Sequence, residues 1–227
     1  MSDRQYGFRK GCSTELALLD LTTDIANDIE NKKYTVGVFL DCSKAFDSLD
    51  HSILLNKLFH YGIRGQPYQW FKNYLSDRHQ YVSVNGHYSS NLPILKGVPQ
   101  GSILGPLLFN IFVNDIVSSS STSKFIIYAD DTTLLYSHSD IKILNEIINV
   151  ELKSIEKWYS ANQLQLNLTK TCYIVFGPKI KTNLVNIDLS IDDIPIRRVN
   201  STKLLGVVIT SNLSWLDHIN LISNIIY

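Results

Sequence analysis

Apolar residues recur along this chain with two periods, and the switches between them mark out its elements. Over residues 13–30, Leu18, Leu21, Ile25 and Ile29 fall at helical spacing with acidic residues between them, which predicts an amphipathic helix. Tyr34–Leu40 is a continuous apolar, β-rich run that stops at Asp41, the pattern of a strand buried on both faces. Residues 52–61 return to the helical period, with Leu54, Leu55, Leu58 and Phe59 on the inner side and Gly62 where a cap belongs. A further helix is predicted from Pro67 to about Leu75. Residues 81–90 read as a hairpin about Asn85-Gly86, because Asn-Gly supplies the positive φ angles of a tight turn.

Beyond a loop containing Gly97-Val98-Pro99-Gln100-Gly101, an apolar helix is predicted over residues 106–117, followed by a Ser-rich loop. Residues 125–128 and 133–136 read as two short strands with Asp130-Asp131 between them. Ile141, Leu144, Ile148, Leu152, Ile155 and Tyr159 trace one face of a long helix ending near Asn162, and residues 171–176 form another strand. From about Pro178 the chain reads as short strands, with a turn at Asp192-Asp193 and a strand over residues 203–210. The order predicts an α+β fold, a sheet with helices packed on one face.

Composition refines this picture little. Lys plus Arg and Asp plus Glu number 21 each, so the chain lacks the basic excess of a dedicated nucleic-acid binder. Three cysteines at unrelated spacings, Cys12, Cys42 and Cys172, suit neither a disulfide framework nor a zinc site and point to a reducing compartment. No apolar run has transmembrane length and the start lacks an apolar signal region, so a soluble, intracellular chain with no membrane partner is expected.

Three carboxylates change the picture more. Asp41 ends one predicted buried strand, and Asp130 and Asp131 sit between two others. Strand ends and tight turns let side chains converge at the edge of a rigid sheet. Nucleotidyl transfer needs such convergence, because two hard cations about 3.5–4 Å apart must bridge the attacking hydroxyl and the leaving phosphate oxygen, and clustered Asp oxygens suit Mg2+. Each pair also has a plain structural explanation. Asp-Asp is ordinary turn chemistry, as at Asp192-Asp193, and Asp41 could cap the next helix.

The surrounding residues weigh the balance. Phe39-Leu-Asp41-Cys-Ser-Lys-Ala-Phe46-Asp47 resembles motif A of the reverse transcriptases of non-LTR (LINE-like) retrotransposons. The segment from Leu95 through Pro99-Gln100-Gly101 to Phe109 resembles their motif B, and Tyr128-Ala129-Asp130-Asp131 their motif C. Gln5-Tyr-Gly-Phe-Arg-Lys-Gly is similar to the entry segment upstream of motif A. Trp158 through Asn162 and Asn167 to Lys170-Thr171 is similar to motif D, and Lys203-Leu-Leu-Gly206-Val to the strand approaching the primer grip. The motifs follow in order across nearly the whole chain.

The resemblance implies a right-hand polymerase palm with partial fingers (residues 1–33 and about 62–115), a catalytic palm (34–61 and 116–178), and a primer-grip region with the start of a truncated thumb (179–227). It implies an RNA-directed DNA polymerase joining dNTPs to a primer 3′-hydroxyl on an RNA template, acting in the cytoplasm and nucleus. By the same resemblance Asp41, Asp130 and Asp131 hold two Mg2+ ions, for which Mn2+ could substitute, with the Cys42 carbonyl as a further ligand. Phe46 gates the sugar, Gln100 and Gly101 contact nucleotide and template, and Lys170 protonates the departing pyrophosphate. Arg9 and Lys10 are the nearby basic candidates for the triphosphate. Two alternatives share the same palm: a folded piece that does not catalyse, and an RNA-directed RNA polymerase, which the aromatic Phe46 and the Tyr-Ala-Asp-Asp tetrad disfavour.

Overall fold

Helix α1 (Thr14–Glu30) begins where the Ser13 hydroxyl accepts the Leu16 N–H at 3.2 Å. Strand β1 (Tyr34–Leu40) follows, then helix α2 (His51–His60), whose cap is Asp50, accepting from Ser52 and Ile53. Asp41 is thereby free of the capping duty that its position also allowed. Helix α3 (Gly65–Leu75) leads into a ribbon in which β3 (Ser83–Val84) pairs with β4 (His87–Tyr88) about Asn85-Gly86, and β2 (His79–Gln80) pairs with β5 (Leu92–Pro93) at its root. Next come α4 (Leu104–Val113), the hairpin β6 (Lys124–Tyr128) and β7 (Asp131–His138), the long helix α5 (Ile141–Ala161) capped by Asp140, and β8 (Cys172–Phe176). The chain continues through β9 (Ser190–Ile191), β10 (Ile194–Pro195), β11 (Arg197–Arg198), β12 (Ser201–Leu204), β13 (Val207–Thr210) and α6 (Leu216–Ile226). The computed structural model describes residues 1–177 and 186–226, so the stretch following Pro178, expected as strand, lies partly outside it.

The central sheet has the order β11-β8-β1-β7-β6, antiparallel except where β11 runs parallel to β8. Because side chains alternate across a strand, β1 sends Val36, Val38 and Leu40 to one face and Phe39 to the other. The first face packs under Leu54 and Leu58 of α2, Phe109 and Phe112 of α4, and Leu144, Ile148, Leu152 and Ile155 of α5. The opposite face is covered by Ala17, Leu21 and Ile25 of α1 together with Leu204 and Ile209. The one-face expectation therefore describes α2, α4 and α5, while α1 forms a third layer. Amphipathicity shows which side of a helix is buried, and it does not show which layer the helix joins. Burial on both faces is why β1 reads as an unbroken apolar run.

The strand expected over residues 203–210 is a hairpin. β12 pairs with β13, and the chain reverses at Leu205 and Gly206, both with positive φ (48° and 88°). Gly206 was the available turn signal in an otherwise apolar stretch. The Asp192-Asp193 turn is as read, with both residues left-handed between β9 and β10.

Leu21 is fully buried under the sheet. Leu21→Ala should cost about 2–5 kcal/mol, read as a lowered urea midpoint at unchanged slope. A loss below about 1 kcal/mol would show that α1 is not part of the core.

Candidate active site

Asp41 lies one residue past β1, and the pairing Leu40↔Thr132 places it beside Asp131, the first residue of β7. Past the end of β1 the backbone is held by the segment before β8. Asn167 N–H donates to the Asp41 carbonyl at 2.8 Å, Ser43 N–H to the Gln165 carbonyl at 2.8 Å, and Asp41 N–H to the Thr171 hydroxyl at 3.3 Å. Cys42 bridges to Leu166 between these bonds, so by the alternation of an antiparallel pair its own carbonyl faces the other way, toward the β7 side.

Asp130 sits in the two-residue connection between Tyr128 and Asp131. The left-handed residue here is Ala129, at φ 56°, unlike Asp192-Asp193, where both aspartates are left-handed. Such a conformation costs a non-glycine residue about 1–2 kcal/mol, and the N-terminal segment holds it in place. Gln5, 1% exposed, accepts through Oε1 from Gly7 N–H at 2.8 Å and from Ala129 N–H at 3.1 Å. Tyr6 N–H donates to the Ile127 carbonyl, Ile127 N–H to the Arg4 carbonyl, and Asn110 Nδ2 to the Gly7 carbonyl. A Cβ on Gly7 would stand 2.4 Å from the Ala129 nitrogen. Gln5 and Gly7 thus position the turn, a role the sequence carried only as part of a recognised segment.

Asp41 and Asp131 line one recess with Lys170, Thr202 and Lys203. Asp130 is set apart, bordering a separate small cavity with Cys42, Ala129 and Tyr159. Among the described residues, no group of three or more His, Cys, Asp or Glu side chains is gathered to hold a metal ion as the side chains stand. The electrostatics nonetheless link all three acids. Burial, and after it the charges of Asp130 and Asp41, push the Asp131 carboxyl above its ordinary range. The Cys42 thiol is pushed up to about 12 by burial and then by Asp130 and Asp41. The donor set consists of hard carboxylate oxygens that disfavour one another's charge, which fits a hard divalent cation in chemistry.

The remaining candidates are distributed around this point. Lys170 Nζ lies 3.9 Å from Asp41 Oδ2 with 70% of its side chain exposed, a screened pair that adds little stability. Phe46 is half-buried, stacked on Phe109 at 4.5 Å between centroids and edge-on to Phe8 at 6.4 Å. Gln100 Nε2 donates to Asp47 Oδ1 at 2.8 Å, and Gly101 has φ 76° beside open space. Phe46 and the Gln100 loop are tied directly, since Val98 N–H donates to the Phe46 carbonyl at 2.9 Å. Arg9 is not brought to this group. Its guanidinium donates to the carbonyls of Ser2 and Gln5 and faces Asp3 at 3.6 Å. Lys10 is exposed beside the same turn.

An antiparallel sheet carrying acids at the end of its central strand and in the adjoining turn, with helices behind it, is a polymerase palm. The chain belongs to the reverse transcriptase (RNA-dependent DNA polymerase) family, whose model matches residues 1–209. It is 31% identical over 225 residues to the RNA-directed DNA polymerase from mobile element jockey of Drosophila melanogaster, covering 95% of this chain and 24% of that protein. It is 30% identical over 232 residues to the probable RNA-directed DNA polymerase from transposon BS of the same species, covering 96% and 25%. The chain thus spans about a quarter of the length of these relatives. Apo telomerase from Candida tropicalis, truncated from its C-terminal domain, shares the fold with a TM-score of 0.62 at 14% identity, over 93% of this chain and 40% of that one. The resemblance to non-LTR retrotransposon polymerases is borne out.

The raised Asp131 carboxyl has a definite sign for stability. A carboxyl raised above its unfolded value favours folding below the unfolded value, and that contribution is lost as pH rises through the folded one. Melting temperature should therefore fall, as pH rises from about 4 toward neutrality, more in the native chain than in Asp131→Asn. Added magnesium at neutral pH should recover the loss in the native chain alone. Equal melting curves for the two proteins at every pH would refute the coupling.

Proposed function

We propose that this chain is the catalytic core of an RNA-directed DNA polymerase, adding deoxynucleotides to a primer 3′-hydroxyl along an RNA template. The observation that carries this reading is the placement of Asp41 and Asp131 in one recess at the sheet end, with Asp130 close enough to raise the Asp131 carboxyl. On this reading Asp41, Asp130 and Asp131 hold two Mg2+ ions, with Mn2+ as a substitute, and the Cys42 carbonyl adds a ligand. When bound, the metal supplies charge neutralisation at the α-phosphate and acidifies the primer hydroxyl.

The chain's own residues then bind and orient. Phe46, braced by Phe109, presents a fixed ring beneath the sugar and excludes a 2′-hydroxyl by contact. Gln100 and Gly101 form the wall against nucleotide and template, where the bare Gly101 lets backbone approach closely. Lys170, already directed at Asp41, carries a proton to the departing pyrophosphate. Arg9 has the sequence credentials for the triphosphate, and its engagement in its own turn makes it the weakest member of the set. We assign residues 1–33 and 62–115 to fingers, 34–61 and 116–178 to palm, and 179–227 to the primer-grip side. Action in cytoplasm and nucleus follows from the same reading.

In primer extension on an RNA template, Asp41→Asn and Asp131→Asn should each lower the rate by on the order of a hundredfold or more, the scale of losing one preorganised charge contact. Unchanged extension in either would end the reading. Phe46→Val should raise ribonucleotide relative to deoxynucleotide incorporation. It should also cost about 1–3 kcal/mol through the lost stack on Phe109. A destabilised variant with unaltered sugar preference would leave Phe46 as packing alone.

A further inference from the structure

The residues after Phe46 are held against the residues before Gln100 by contacts that the proposed chemistry leaves unused. Val98 N–H donates to the Phe46 carbonyl at 2.9 Å, and Gly97 N–H to the Leu49 carbonyl at 2.7 Å. Asp50 bridges antiparallel to Lys96. Gly97, at φ 85°, lies so close to the facing backbone that a Cβ on it would stand 2.8 Å from Asp47 Cα. The two segments form a short brace. Phe46 belongs to one of them, and Gln100 follows two residues after the other.

One side chain crosses the brace. His51, the first residue of α2, brings Nε2 to the Gly97 carbonyl at 2.7 Å, across 46 positions of sequence. A carbonyl only accepts, so this contact requires the proton on Nε2. The ring is half-buried, and the helix is capped by Asp50, which accepts from Ser52 and Ile53. Leucine has the higher helix propensity, so helix formation does not account for a histidine here. On the other side of the brace, Asp47 Oδ1 accepts from Gln100 Nε2 at 2.8 Å. An ionised carboxylate only accepts, so the bond fixes which end of the amide meets Asp47 and turns Gln100 Oε1 away from it.

We propose that His51 is a positioning residue for the incoming nucleotide, holding the backbone of the Gln100 loop at a fixed separation from Phe46 while Asp47 orients the Gln100 amide. The inference rests on the polymerase reading and deepens it, naming what sets the spacing between two residues of that site. Without the His51 bond the Gly97 carbonyl loses its side-chain partner, and the loop is free to draw back from Phe46. His51 touches neither nucleotide nor metal. Its loss therefore falls on nucleotide binding, which raises KM and leaves kcat in place.

Single-nucleotide extension of a DNA primer on an RNA template by the 227-residue chain separates the two constants. His51→Leu keeps the bulk of the ring and removes the donor. It should raise the KM for dNTP about two- to tenfold, the scale of one net hydrogen bond, with kcat and melting temperature close to native. His51→Gln, whose amide donates from a similar distance, should restore most of the native KM. Gly97→Ala forces the brace apart by another route and should raise KM as well. In a Gln100→Ala background, His51→Leu should add nothing further. Amide exchange read by mass spectrometry, without nucleotide, should quicken over residues 98–102 in His51→Leu and return to native in His51→Gln. Native KM with native exchange in His51→Leu would overturn the proposal. So would a lowered melting temperature with KM unmoved, or an effect on KM that persists in full without Gln100. If the native chain extends no primer, the polymerase reading fails, and the exchange data alone decide whether His51 holds the loop.

Discussion

The turn that carries Asp130 depends on a hydrogen bond made from the other end of the chain. Ala129 adopts a backbone conformation that alanine does not favour, and the buried Gln5 accepts its N–H across 124 positions of sequence. Gly7 makes this possible by having no side chain where its Cα meets the Ala129 nitrogen. The N-terminal segment therefore acts as a sixth, parallel partner on the β6 edge, bridging Gln5 to Ile127. The backbone position of Asp130 at the sheet end follows from that edge.

A second constraint concerns charge. A cluster of carboxylates repels anions. The fold separates the two signs of charge in space. Acids collect at the end of the central strand, and Lys44 and Arg78, which form no ion pair among the described residues, line a separate cleft at the root of the ribbon. Zero net charge is then the sum of two unlike regions, and it gives no measure of what either region binds.

Much of this is legible in the sequence. β1, α5 and the Asn85-Gly86 hairpin declare themselves because each rests on local signals: unbroken apolar character, helical period, turn chemistry. The two Asp-Asp pairs could be told apart only by the residues around them, and the structure supplies the physical difference, since Ala129 takes the left-handed position in one and the aspartates take it in the other. What stayed hidden is non-local. Nothing around Gln5 announces its bond to Ala129, and nothing in Arg9 reveals that its guanidinium closes its own turn. The separation of Asp130 from the recess shared by Asp41 and Asp131 is likewise a matter of side-chain direction, which motif order does not encode.

The sheet order has a consequence for how this protein is made. β1 emerges from the ribosome early, yet the strands on its two sides, β7 and β8, begin only at Asp131 and Cys172. At synthesis rates of about 5–20 residues per second, β1 waits for several seconds with both edges open. Helices α1, α2 and α4 are made before β7 and can cover the faces of β1 in that interval, but they do not pair its edges. Unpaired strand edges are templates for pairing with another chain. The stretch between Leu40 and Cys172 thus sets how long those edges stay open.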